Sequence, residues 1–194
     1  LEMLKVEWDD ANFEFLIKIT DILIKDFQDI ENGGFYFTSD NHEELIYRPK
    51  SYMDESLPSG NSITIGVLME LYELTGNTKY VDAVENAIKS AHDSLDRSRS
   101  SHSSLLLAAP KTGNSKRLII IRFEEKNLKD NQNLINKLDT LNDNIYFISN
   151  NINLMVEGLS DKKPKGNFRA YVCQNNICSE PINSIEKFIE FIQK

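Results

Sequence analysis

Long apolar runs are the first thing missing from this chain of 194 residues. The most apolar stretch, "RLIIIRF", is far shorter than the roughly 20 residues a membrane helix needs, so a membrane partner is not expected. Basic blocks are missing too. Thirty acidic side chains against twenty-two basic ones leave a net charge of −8, with no Lys/Arg cluster to neutralise successive phosphates, so nucleic acid is not an expected partner. Histidine occurs three times, scattered as His42, His92 and His102, and cysteine twice. Neither set supplies the four ligands of a structural zinc site, and no metal is expected. Gly-rich phosphate loops, dinucleotide fingerprints and Ser-His-Asp spacings are also lacking, which removes the nucleotide and hydrolase signatures and leaves no cofactor to expect. With no charged-then-apolar leader ahead of the first helix, the expected location is cytoplasmic. Leu1 and Glu2 precede Met3, so the start of the chain need not be the start of the protein.

What is present is the composition of a globular protein, 40% hydrophobic and 27% charged. From Trp8 to Phe27 the apolar residues Trp8, Ala11, Phe15, Leu16, Ile19, Ile22, Leu23 and Phe27 recur at spacings of three and four, which predicts one amphipathic helix capped by Asp9 or Asp10. "ENGGFYFTSDNHEELIYRP" predicts a helix stop at Gly33 and Gly34, then two short paired strands, a β-hairpin near 35–48. "NSITIGVLMELYELTG" and "NTKYVDAVENAIKSAHDSL" predict two more helices joined so tightly that they form a helical hairpin, with Asn61 or Ser62 near the first cap and Asn77 or Thr78 at the second. "DRSRSSHSS" and a linker holding Pro110 and Gly113 break this pattern. Beyond them, "RLIIIRF" and "NIYFIS" read as strands around a helix over 126–141, an order that predicts a parallel pair. "FRAYVCQNNICSEP" reads as a strand and tight turn, and "NSIEKFIEFIQK" as a closing helix capped by Asn183 or Ser184, with Glu186 near the position a capping box uses. The expected division is a helical-hairpin segment over 1–113 and a small α/β subdomain over 114–194.

The connection "YRPKSYMDESLPSGNS" stands out, because it places Arg48, Lys50, Asp54, Glu55, Ser59 and Asn61 between two folded segments. One reading is internal: Arg48 pairs with Asp54, while Ser59 and Asn61 cap the following helix. Cys173 and Cys178 pose a similar choice. Four residues separate them, so a hairpin could set them across from one another at disulfide distance, or both could be small packing residues.

The order "GGFYFTSDNHEELIYRPK", "DESLPSGNSITIGVLMELYELTGNTKY", "FRAYVCQNNICSEPI" resembles the C-terminal third of the thioredoxin-domain-containing spermatogenesis-associated protein family. Its most specific pieces are Arg48, Pro49 and Lys50, then Asp54 with Pro58, Ser59, Gly60 and Asn61, and last Tyr171, Cys173, Cys178 and Pro181. The resemblance implies a longer protein with an N-terminal thioredoxin-like domain and a toroid of helical hairpins, similar to the (α/α)6 barrels of N-acylglucosamine epimerases and six-hairpin glycosidases. In such toroids the connections at one end of the inner helices line a central cavity. The polar stretch would then hold a small sugar, with Arg48 and Asp54 catalytic, Asp54 as general base, and Lys50, Tyr52, Ser59 and Asn61 binding the ligand.

Three functions therefore stand open. The first is a carbohydrate-binding or sugar-modifying domain, epimerase-like or glycosidase-like; the second is a redox partner module in which the helical part is a scaffold and the thiol chemistry lies in a thioredoxin-like domain missing from this sequence, with Cys173 and Cys178 as a separate redox or disulfide candidate; the third is a non-catalytic scaffold. A toroid piece without its neighbouring hairpins would leave apolar helix flanks uncovered, so the isolated chain is expected to self-associate. Sedimentation over a range of concentrations checks this: the apparent mass should rise with concentration, and a strictly monomeric profile at high concentration counts against it.

Overall fold

The computed structural model describes every residue except positions 44, 110–115, 125–137, 139, 140, 142, 155, 176 and 194. Among the described residues six α-helices and four strands are formed: α1 (Glu2–Val6), α2 (Asp10–Phe27), α3 (Gly60–Thr75), α4 (Thr78–Arg97), α5 (Ser103–Ala108), β1 (Leu118–Phe123), β2 (Asn144–Ser149), β3 (Phe168–Gln174), β4 (Ile177–Cys178) and α6 (Ile185–Ile192). Two compact units result. One comprises Leu1–Glu14, Glu73–Gly76 and Thr112–Lys194, and the other Phe15–Tyr72 and Asn77–Lys111.

The second unit is helical. Ser59, which the internal reading offered as a cap alongside Asn61, caps α3 by accepting the Ser62 amide at 3.2 Å, while Asn61 is engaged elsewhere. Ile65, Leu68 and Leu71 recur along α3 and are fully buried, as are Val84, Ala87 and Ala91 along α4. Gly76, at φ +70, and Asn77, whose side chain accepts the Lys79 amide, are the only residues between the two helices.

In this unit α2 departs from expectation. Leu16, Ile17, Leu23 and Ile24 are half-buried and Thr20 is buried, whereas Phe15, Ile19 and Ile22 are exposed at 62, 46 and 52%. The sequence carries apolar residues on more than one helix face, and the spacing Phe15, Ile19, Ile22 marks a face that the unit leaves open.

The expected hairpin near 35–48 also takes another form. Among the described residues Phe35 makes one isolated bridge, to Gln28, and Phe37 donates its amide to the Pro49 carbonyl. The other backbone groups of the aromatic run are claimed from elsewhere: Tyr36 N–H by the Phe27 carbonyl, and both polar groups of Phe35 by the Asn61 side chain. Those bonds stand in place of the expected strand ladder.

The first unit holds a sheet in the order β2-β1-β3-β4. β1 and β2 are parallel, in keeping with the strand, helix, strand order, while β3 and β4 run antiparallel to their neighbours. Most of the helix expected over 126–141 lies outside the described residues, as does the linker around Pro110 and Gly113, but Leu138 is helical and buried. It joins Ile119, Ile121, Phe168, Ala170, Val172, Phe188 and Ile192 in one core, so α6 covers that face. Ser184 caps α6 by accepting the Lys187 amide at 3.2 Å; the capping-box position is therefore Lys187 and not Glu186. On the other face α1 packs on β2, with Leu4 and Trp8 buried and the Trp8 ring edge-on to Tyr146 at 5.8 Å. Asp9 caps α2 through the Asn12 amide at 2.7 Å. Among the described residues no helix is long and apolar enough to cross a membrane.

One residue in β1 breaks the apolar pattern. Arg122 is 1% exposed, and its guanidinium donates to the carbonyls of Ser149 and Ile152, tying down the turn after β2. Burial lowers its pKa from the usual arginine range, and the neighbouring Tyr171 and Asp10 act against that. Arg122→Ala should cost about 3 kcal/mol, the sum of a cavity and two weakened charge-assisted bonds, and Arg122→Met should recover part of it by refilling the space. Urea unfolding of the two variants measures the difference; equal losses would rule out the packing share.

Candidate functional site

Two places carry chemistry, one in each unit. The first is the polar connection ahead of α3, which closes on Asp29. That carboxylate is 6% exposed and accepts bonds from Lys50 Nζ at 2.8 Å, Tyr36 Oη at 2.7 Å and the Asn32 amide at 2.9 Å. Burial opposes its charge, yet the Lys50 and Tyr36 bonds and the Asn32 amide outweigh it, holding the carboxyl well below the usual range. The bond to Asp29, then burial, raise the Tyr36 phenol.

The same constellation positions the remaining predicted residues. Lys50 also donates to the Gly33 carbonyl at 2.6 Å. Arg48 donates to the Thr38 carbonyl at 2.6 Å and lies 4.2 Å over the Tyr36 ring, so cation–π attraction adds to its hydrogen bonds. Tyr52 is buried, with its hydroxyl 3.4 Å from the Gly33 carbonyl and its pKa raised by burial. Asn61, 4% exposed, accepts the Phe35 amide at 2.8 Å and donates to the carbonyls of Phe35 and Ser51 at 2.9 and 3.0 Å, replacing a strand neighbour. Ser59 bonds Ser62 at both its hydroxyl and its backbone amide.

Arg48 and Asp54 do not pair with each other. Asp54 accepts the Ser104 amide at 2.8 Å and the Ser59 amide at 3.0 Å, and its own amide donates to the Ser101 carbonyl at 2.8 Å. The Ser104 bond, then the Ser59 bond, lower its pKa, so the carboxylate serves the first turns of two helices. Glycine is required where the chain passes under this arrangement: Gly33 and Gly34 have φ of +76 and +78, and a Cβ would stand 2.2 Å from the Asn86 carbonyl oxygen at the first and 2.0 Å from the Tyr52 hydroxyl at the second.

His102, one of three scattered histidines in the sequence, is fully buried below the serine-rich stretch. Its Nδ1 lies 2.6 Å from the Ser98 carbonyl, which can only accept, so Nδ1 carries hydrogen; in the neutral ring Nε2 accepts from Ser94 at 2.9 Å. Sequence reasoning missed this anchor, and the signal was the serine-rich context, with Ser98 in "RSRSSHSS" and Ser94 just ahead of it on α4 as its partners. His42 is exposed in the turn after Asp40.

The second place is on the sheet. Cys173 and Cys178 face each other across β3 and β4 and are joined as a disulfide. Cys173 is 5% exposed, whereas Cys178 is exposed. Both border a cleft of about 260 Å³ whose walls include Lys116, Lys162, Glu73 and Glu157. Lys162 is itself paired with Asp161 at 2.8 Å. Among the described residues no group of three or more His, Cys, Asp or Glu is placed to hold a metal.

No family model matches the chain. Spermatogenesis-associated protein 20 of Homo sapiens is 24% identical over 197 residues, an alignment covering 94% of this chain and 24% of that protein. The chain thus spans about a quarter of that relative's length, and the match supports a relation to that family.

The Asp29 arrangement generates a prediction with a sign. A carboxyl whose folded pKa is depressed contributes stability that is present above its unfolded pKa, near 4, and is lost as pH falls through the folded value. Lys50→Ala leaves the buried charge without its counter-ion and should cost about 3 kcal/mol at pH 7. The loss should shrink as pH falls, because without Lys50 the folded-state pKa of Asp29 rises and protonation of the folded variant relieves the unpaired charge. Urea midpoints from pH 2 to 7 test both; a parallel loss at every pH would show that the pair carries no linked proton.

Proposed function

We propose that the chain is a module of a longer protein related to Spermatogenesis-associated protein 20 and that its chemistry is thiol–disulfide exchange at Cys173–Cys178. The observation that carries this reading is the bridge itself, which has one exposed cysteine and borders a cleft. Disulfide reactivity depends on whether a thiolate can reach a sulfur, and a structural bridge in a core offers no approach. Here one sulfur-bearing residue lies at the surface, beside space for a partner. In the cytoplasm, which we propose as its location, such a bridge would be turned over rather than stored. The reductant would be a dithiol, for which the thioredoxin-like domain implied by the family resemblance is the natural source.

The polar connection is proposed as a brace of the helical scaffold. Arg48, Lys50, Asp54, Ser59 and Asn61 hold backbone and side-chain groups of the surrounding chain through bonds of 2.6 to 3.4 Å, and a sugar would have to replace those partners at a cost for each polar group left unpaired. The carbohydrate reading, with Asp54 and Arg48 catalytic, therefore ranks second. The (α/α)6 toroid remains part of the proposal, with α3 and α4 as one of its hairpins. Self-association also remains part of it, and the open stripe Phe15, Ile19, Ile22 supports it.

Exposure of the folded, oxidised chain to a reduced thioredoxin-fold dithiol should release two thiols per molecule, counted by mass after alkylation, without loss of helix signal in circular dichroism. A bridge that resists the dithiol yet opens readily once the chain is unfolded in urea would overturn the exchange reading. A panel of free and N-acylated sugars should leave the melting temperature unchanged; a shift abolished by Asp54→Ala in an equally stable variant would restore the carbohydrate reading.

A further inference from the structure

The two halves of the bridge occupy unlike positions in the sheet. Resting on the exchange reading above, we propose that Cys178 is the sulfur attacked and Cys173 the sulfur released, with a protein dithiol as reductant.

Exchange proceeds along the S–S axis, so the incoming thiolate must approach one sulfur from the side opposite the other. Cys173 lies on β3, an interior strand with β1 on one side and β4 on the other; its register partners are Leu118 and Cys178, and its residue is 5% exposed. A nucleophile aimed at its sulfur would have to enter the cleft over Leu118 and reach a residue that is almost wholly covered, a path narrower than a protein thiol needs. Cys178 ends β4, the strand at the edge of the sheet, where the approach runs through solvent. Its neighbour Ile177 is 76% exposed, which gives an approaching protein an apolar contact beside the reactive sulfur that a small hydrophilic thiol would not use.

Charge does not make this choice. Lys116 and Lys162 line the cleft and favour thiolate, while Glu73, Glu157 and Asp161 line it too and oppose it, so both sulfurs share one mixed field. Access separates them.

The chemistry balances with the dithiol alone. A partner thiolate bonds to the Cys178 Sγ, the Cys173–Cys178 bond breaks, and Cys173 leaves with the electron pair as a thiolate that takes a proton from water. The partner's second thiolate then attacks its own first sulfur, releasing Cys178 as a thiolate that is protonated in turn. Two electrons and two protons have passed to the chain, and the partner is left as a disulfide.

The first test uses the unaltered, oxidised chain and a thioredoxin-fold probe whose second cysteine is replaced by serine, so that the mixed disulfide cannot resolve. Peptide mapping of the trapped adduct should find the probe predominantly on Cys178. A probe mainly on Cys173 overturns the assignment and leaves exchange standing. Absence of an adduct, combined with no reduction by the intact dithiol, removes the exchange reading itself, and absence of an adduct despite reduction by the intact dithiol overturns the assignment. The second test compares single-cysteine chains: the thiol left in Cys173→Ser should react with an aromatic disulfide about tenfold or more faster than the thiol left in Cys178→Ser. The two rates should converge in urea. Equal rates in the folded chains would also overturn the assignment.

Discussion

Asp29 keeps a negative charge where water hardly reaches, and a buried carboxylate persists only when its oxygens are filled by donors. Lys50, Tyr36 and the Asn32 amide fill them. Those three donors come from different points along the chain, so meeting them ties Asn32, Tyr36 and Lys50 to one place. The path presses Gly33 against the Asn86 carbonyl and Gly34 against Tyr52, positions no side chain could occupy. Asn61 then carries the constraint into α3 by bonding both polar groups of Phe35. A connection that seemed built to bind something is thereby accounted for by its own backbone.

The sheet unit is arranged on the same principle but leaves something over. Arg122 resolves its buried charge on two carbonyls, as Asp29 does on its donors, and both become structural anchors. The bridge differs because it ends at an edge strand of two residues. A group that is held in place on one side and open on the other can be both positioned and reached, which is the combination that exchange chemistry needs. That contrast between interior groups engaged by the surrounding chain and one accessible bond is why the redox reading stands ahead of the carbohydrate one.

Periodicity made the helices legible. Ile65, Leu68, Leu71 and Tyr80, Ala83, Val84, Ala87 follow a 3.6-residue repeat because each helix buries one stripe, and the apolar run of β1 announced a strand buried on both faces. Gly76 and Asn77 likewise marked their boundary, since positive φ and an amide cap are local demands. Harder to see was which apolar stripe of α2 turns inward, because Phe15, Ile19, Ile22 and Leu16, Thr20, Leu23 have similar spacing and only the neighbours choose between them. The aromatic run after Gly34 misled for a related reason: it has the composition of a strand, but its hydrogen bonds go to Asn61, twenty-six residues beyond Phe35, and to the end of α2.

By itself, then, the amino-acid order determined what depends on near neighbours: the buried faces of α3 and α4, the stop and cap at Gly76 and Asn77, the parallel pairing of β1 and β2, and the list of residues able to do chemistry. Tertiary structure alone decided what those residues face. Lys50 meets Asp29 across twenty-one positions and Asp54 meets Ser104 across fifty, and nothing local encodes such pairings. Cys173 and Cys178 stand only five apart, yet their unequal exposure comes from the strands on either side of them. Reactivity follows from that surrounding, because a sulfur, a carboxylate or a guanidinium becomes either an anchor or a reagent according to whether its neighbours leave it open.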